Sequence, residues 1–228
     1  FRIEQSLSTE VPITYAGRLD PMASGLVLLL VGETCKQKDA FLGLDKTYIF
    51  EVLFGVSTDS FDMLGLITDT GKYLPTEKEI LESLEKIKDT KSFFYPPFSS
   101  KPVDGKPLFT HAKAGTLPDT LPTLEGKIHT SILQNTAIKL VKELVGNSIE
   151  IMQKVEGDFR QEEIIIGWEK FLENNKDKKC VVATLEATVS SGIYIRTIAV
   201  LLGAALGIPA LAYSIDRTNV GEYMLGNK

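Results

Sequence analysis

The sequence predicts an α/β protein of the α+β type, a mixed and mainly antiparallel sheet with flanking helices. Three stretches carry that expectation. Val181, Ala183, Leu185, Ala187 and Val189 alternate with Val182, Thr184, Glu186 and Thr188, the period of a half-buried antiparallel strand. Lys46-Thr-Tyr-Ile-Phe-Glu-Val-Leu-Phe54 is rich in β-branched and aromatic residues and reads as another strand. From Ile193 to Leu206, Ile195, Ile198, Leu202 and Leu206 recur at helical spacing, with Gly207 as the C-cap and Pro209 as the stop.

The remaining elements follow in chain order. Ile3, Leu7 and Val11 stand among polar neighbours and define nothing. Ala16-Gly-Arg-Leu-Asp-Pro-Met-Ala-Ser-Gly25 runs directly into Leu26-Val-Leu-Leu-Leu-Val31, an apolar run expected to be a short strand buried on both faces. Gly17 and Gly25 permit positive φ, and Pro21 pushes Asp20 toward extended geometry. The expected result is a rigid loop that holds Asp20 in one orientation. Taken alone, Asp-Pro among glycines is an ordinary turn signature.

Thr34 to Leu42 suits a short helix. Gly55 to Gly71 reads as a solvated, acidic loop. Its aspartates Asp59, Asp62 and Asp69 lack calcium-loop spacing, and no metal is expected. Thr76-Glu-Lys-Glu79 is a capping box, followed by a helical face of Ile80, Leu81, Leu84 and Ile87. Pro96 and Pro97 keep Phe93 to Lys101 extended, and Asp104-Gly105 is a turn. Residues 116–127 are loop-like. Residues 128–157 fit either strands or a short helix followed by a strand. Asp158 is expected to cap a helix with Ile164, Ile165, Trp168, Phe171 and Leu172 on one side.

Composition bounds the function. In 228 residues the net charge is −5, which argues against a nucleic-acid binder held by bulk charge and leaves room for a focused basic groove. No apolar run approaches the ~20 residues that span a bilayer, so no membrane partner is expected. Two distant cysteines, Cys35 and Cys180, point to free thiols in a reducing compartment, expected to be the cytoplasm. Of the five arginines, Arg18, Arg196 and Arg217 fall in the segments singled out below.

Four segments then line up as GRLDPMASG, KTY with GVSTDSFDMLG, PPFSSKPVDG and SSGIYIRT. In that order they resemble the TruB family of tRNA pseudouridine synthases, whose patterns are GxLDPxASG, K-x-Y with G-x-x-TDx-x-D-x-x-G, PP-x-xSA-x-K-x-x-G and SKGTYIRT. The resemblance spares roughly residues 127–180, expected to be an insertion in a single catalytic domain over 1–228. It implies a pseudouridine-synthase-like fold with a central cleft and isomerisation of uridine to pseudouridine in RNA. The implied site is uridine 55 of the tRNA T-loop.

By the same resemblance Asp20 matches the catalytic aspartate and Arg196 the arginine paired with it, a pairing that keeps a carboxylate ionised. Tyr48 matches the tyrosine that stacks on the target base, Tyr194 a second tyrosine near it, and Ile215 the leucine beneath it. Lys46, Lys101, Lys106 and Arg217 are candidate contacts to the RNA backbone. Tyr15 stands where the family has a histidine that helps evert the uridine, and Arg18 replaces a small residue. These two count as substrate-binding candidates. Asp216 stands where many members have arginine. No RNA-binding PUA domain is expected, nor any cofactor, and a monomer is. The alternatives are the same chemistry at another RNA site, a non-catalytic RNA-binding module on the same scaffold, and a small glycosidase using Asp20, which would need a second carboxylate.

Overall fold

A computed structural model describes residues 11–71 and 74–224; Ile3 and Leu7 lie outside these residues. The chain opens with β1 (Ile13–Ala16), β2 (Ser24–Gly25) and β3 (Leu28–Val31), then a 3-10 turn over Gly32–Gln37 that leads into α1 (Lys38–Leu42). Next come β4 (Lys46–Phe54), β5 (Val56–Thr58), β6 (Ile67–Thr70), α2 (Glu77–Lys88) and β7 (Ser92–Phe94). A small hairpin, β8 (Pro102–Val103) and β9 (Lys106–Pro107), precedes α3 (Leu108–Ala114) and β10 (Thr123–Glu125). The second half holds β11 (Ile128–Leu140), α4 (Val141–Met152), α5 (Gln161–Asn175), β12 (Lys179–Val189), α6 (Ile195–Leu206), β13 (Ala210–Val220) and β14 (Tyr223–Met224).

The expected mixed, mainly antiparallel sheet is present. Its order is β11-β12-β4-β13-β14, and β2 adds to β13 as the parallel member. The register of β4 against β12 and β13 sets Tyr48 opposite Ala187 on one side and Arg217 on the other. One face of the sheet, with Phe50, Val52, Ala183 and Leu185, packs on Ile80 and Leu84 of α2 and on Ile198 and Leu202 of α6. The other face, with Leu53, Val182 and Leu211, packs on Leu144 of α4 and on Ile164 and Trp168 of α5. Val182 is therefore buried despite its place on the alternating polar side, because helices cover both faces there.

Several local features follow their sequence signals. Thr76 caps α2 through its side chain, and Glu79 closes the box by accepting from the Thr76 N–H at 2.9 Å. Asp104 and Gly105 adopt φ +48° and +76° between β8 and β9, the geometry of a two-residue hairpin turn. Gly207 ends α6 in the left-handed region.

Others differ. The run Leu26 to Val31 is not buried on both faces: among the described residues β3 pairs with β1 alone, and Leu29 and Val31 are exposed. Leu81 faces solvent, and Ser83 is the buried residue instead, its hydroxyl satisfied by the Ile80 carbonyl. Residues 128–157 form a strand followed by a helix, the reverse of the mixed option expected. Asp158 does not cap α5. Arg160 holds the N-cap position in the left-handed region with no side-chain cap.

Candidate active site

β1 delivers the chain into the Asp20 loop, and the loop's geometry is set by β13. Arg217, buried on β13, donates from Nε to the Leu26 carbonyl at 2.7 Å, and from Nη2 and Nη1 to the carbonyls of Gly17 and Arg18 at 3.0 and 3.4 Å. One guanidinium thus holds backbone on both sides of Asp20. Gly25 has φ +107°, and a Cβ there would meet the Arg217 carbonyl oxygen at 2.3 Å. Only glycine lets β2 lie this close to β13. Asp216 adds a second link between these strands by accepting from the Ser24 hydroxyl at 2.8 Å.

Across the cleft, the first turn of α6 presents Arg196. Its Nε and Nη2 donate to the two carboxylate oxygens of Asp20 at 2.8 and 2.7 Å, a fork-to-fork pair. Its remaining donors go to backbone: Nη1 to the Ser60 carbonyl at 2.8 Å and Nη2 to the Phe98 carbonyl at 3.2 Å. The arginine side chain is 3% exposed, whereas that of Asp20 is 24% exposed. The aspartate therefore keeps an open face toward the cleft while the arginine is walled in. Burial alone would lower the Arg196 pKa, but the carboxylates of Asp20 and Asp62 outweigh it and hold the guanidinium charged.

Above this pair lies a cavity of about 700 Å³, within the range of sites that enclose small ligands. Tyr48, Tyr194 and Ile215 line it together with Asp20 and Arg196. The ring of Tyr194 lies beneath the Arg196 guanidinium at 5.5 Å and meets Tyr95 edge-on at 5.9 Å. Burial raises the phenol pKa of both Tyr48 and Tyr194, so both present neutral hydroxyls. Arg18 lines the cavity and Tyr15 does not; Tyr15 accepts from Arg18 Nε at 2.7 Å, and Arg18 and Lys38 both lie 5.6 Å from its ring.

The basic candidates separate by location. Arg217 is held inside by the carbonyls just described. Lys46 is 7% exposed, and its ammonium donates to the carbonyls of Leu42 and Leu44 and to the Ser191 hydroxyl. Both also line the cavity, so they border the cleft from within the fold. Lys101 lies over the Tyr95 ring at 5.1 Å, and Lys106 is exposed on β9; both lie outside the cavity lining.

Two residues beyond the expected set complete the site. Asp62 falls in the stretch expected to be a solvated loop, yet it is 7% exposed and lies 3.6 Å from Arg196 Nε. Arg160 lines the cavity from the start of α5. Among the described residues no group of three or more His, Cys, Asp or Glu side chains could hold a metal ion, and no helix is long and apolar enough to cross a membrane.

Fold and site together define an α+β protein built on a cleft whose floor is an arginine-locked carboxylate. Residues 6–143, more than half of the chain, match the model described as TruB family pseudouridylate synthase (N terminal domain). The chain belongs to the TruB family.

It is 25% identical over 273 residues to tRNA pseudouridine synthase 4 of Schizosaccharomyces pombe, covering 96% of this chain and 67% of that protein. It is 30% identical over 216 residues to tRNA pseudouridine synthase B of Protochlamydia amoebophila, covering 94% of this chain and 66% of that one. The chain thus spans about two thirds of the length of these relatives. The Cbf5-Nop10-Gar1 complex contains a chain with the same fold, at a TM-score of 0.52 and 13% identity, covering 94% of this chain and 42% of that chain.

Proposed function

We propose that this chain isomerises uridine to pseudouridine in RNA, with Asp20 as the catalytic carboxylate and uridine 55 of a tRNA T-loop as the target. In that reaction the bond from N1 to C1′ breaks, the base turns, and C5 bonds to C1′. C5 gives up its proton and N1 gains one, so nothing is oxidised or reduced. The observation that carries the reading is the two-pronged Arg196–Asp20 pair at the floor of a cavity lined by Tyr48.

A base can reach such a floor only after leaving its stack, and an everted pyrimidine needs a flat apolar wall; Tyr48 and Ile215, both in the cavity lining, supply it. Asp20 then faces the sugar with both carboxylate oxygens held by Arg196. Attack at C1′ and removal of a sugar proton both need an ionised carboxylate with an open face. Arg18, in the cavity lining, and its hydrogen-bonded neighbour Tyr15 would meet the nucleotide as it enters. The choice of tRNA is supported by the relatives, which are named tRNA pseudouridine synthases, and by the order of the four motifs.

The test is turnover of a T-loop hairpin by the purified chain, with the Asp20→Asn variant beside it. Wild type should form pseudouridine at position 55. The variant should fold and lose at least about 10³-fold in rate. Pseudouridine at other positions only would move the target to another RNA site. Undiminished activity in the variant would remove Asp20 from the mechanism.

A further inference from the structure

Arg160 has no part in the chemistry proposed so far, yet it touches both segments that hold Arg196. Its Nη1 and Nη2 donate to the two carboxylate oxygens of Asp59 at 2.9 and 3.3 Å. Its guanidinium carbon sits 4.2 Å from the centre of the Phe98 ring. Asp59 immediately precedes Ser60, whose carbonyl accepts from Arg196 Nη1, and the carbonyl of Phe98 itself accepts from Arg196 Nη2. The two loops are distant in sequence. A planar, charged fork can stack on one and bond the other at once, which a lysine cannot do.

We infer that Arg160 is a positioning residue, a strap from the start of α5 that keeps the Ser60 and Phe98 carbonyls in register for Arg196, and through it Asp20. The inference rests on the proposed isomerisation. α5 itself is tied to the same loop, because Trp168 Nε1 donates to the carbonyls of Met63 and Gly65 at 3.1 and 3.2 Å. Arg160 is already neutralised by a two-pronged carboxylate, a poor arrangement for a phosphate anchor. Helix α5 would therefore tune the geometry of the carboxylate more than it grips RNA.

The experiment compares the full chain with Arg160→Gln, Asp59→Asn, the double variant and Arg160→Lys, on a T-loop hairpin. A strap predicts kcat lowered by about 10- to 100-fold in each, because small misplacements of reacting groups cost that much. KM should stay within about twofold, and the double variant should be no worse than the singles, as for residues acting as one unit. Arg160→Lys keeps the charge and should fold, yet still lose kcat. A phosphate contact would instead raise KM, leave kcat alone and reduce the salt slope by about one, and that result would overturn the strap. Unchanged kcat per folded molecule would do the same.

A second readout needs no turnover: solvent exchange of the Arg196 Nε–H by ¹⁵N NMR should quicken in Arg160→Gln. If it does not, the strap is wrong even where activity falls. If wild type isomerises no RNA while exchange quickens, the functional reading fails and the strap stands.

Discussion

Asp62 stands behind Arg196, with Oδ2 3.6 Å from the same Nε that donates to Asp20 at 2.8 Å. The guanidinium is thus held between two carboxylates, both lining the cavity, the first more exposed than the second. Burial raises the Asp62 pKa, and Arg196 opposes that rise. Its other oxygen accepts from the Ser60 hydroxyl at 2.7 Å and the Leu64 N–H at 2.9 Å.

Asp62→Asn should leave the fold intact and slow the reaction by roughly 5- to 150-fold, the equivalent of about 1–3 kcal/mol for a lost charged partner. Asp62→Leu should in addition cost about 1–3 kcal/mol of stability, because the Leu64 N–H and the Ser60 hydroxyl lose their acceptor. Single-turnover kinetics and urea denaturation read the two effects separately. Equal stability losses in both variants would show that the charge, not the acceptor, holds the loop.

The Lys46 ammonium gives a pH dependence with a definite sign. Burial first, then the Arg217 charge, lowers its pKa from 10.5 to about 8. Between those values the unfolded chain binds a proton that the folded chain does not. Stability from this group therefore rises as pH climbs from about 8 toward 10.5, and the cost of the buried charge is fully present below about 8. Denaturation of wild type minus Lys46→Gln across that window isolates the effect. A difference that falls with pH would contradict it.

The sequence made the Asp20 loop, β12, the capped α2 and the end of α6 legible, because each rests on local chemistry: a glycine that must take positive φ, a period of two, a capping box, a glycine C-cap. What escaped it depends on long-range packing. Asp62 looks like Asp59 and Asp69 in a polar stretch; its burial becomes visible only once Leu64 and Met63 dock under Trp168. Lys46 and Arg217 read as rim cations because a basic side chain gives no sign that backbone carbonyls will surround it. The run Leu26 to Val31 read as doubly buried, since an unbroken apolar stretch does not say which face meets a partner.

Trp168 tests how firmly α5 supports the Asp62 loop. Trp168→Phe keeps most of the packing and removes the donor to the Met63 and Gly65 carbonyls, so about 1–2 kcal/mol of stability should be lost. Trp168→Ala also opens a cavity under Leu53, Val182 and Leu211 and should cost about 3–5 kcal/mol. Chemical denaturation separates the two; similar losses would mean that the hydrogen bonds, not the packing, dominate.

Gly25 and Gly17 bracket the Asp20 loop, and their alanine variants should differ in a set order. At Gly25 a Cβ would meet the backbone oxygen and nitrogen of Arg217 at 2.3 and 2.6 Å, at φ +107°. Backbone cannot swing aside as a side chain can, so β2 must leave β13, and Arg217 must release the Leu26 carbonyl. At Gly17, φ is +84° and the nearest atom is Arg217 Nη1 at 3.4 Å, an ordinary contact with a side-chain end. Gly17→Ala should therefore cost only left-handed strain, about 1–2 kcal/mol. Gly25→Ala should cost more than about 2 kcal/mol and lower kcat with it, since the loop that aims Asp20 loses its seat. Urea denaturation with single-turnover rates on the same samples decides the order; a larger loss at Gly17 would mean that Arg217, not the β2–β13 contact, sets the loop.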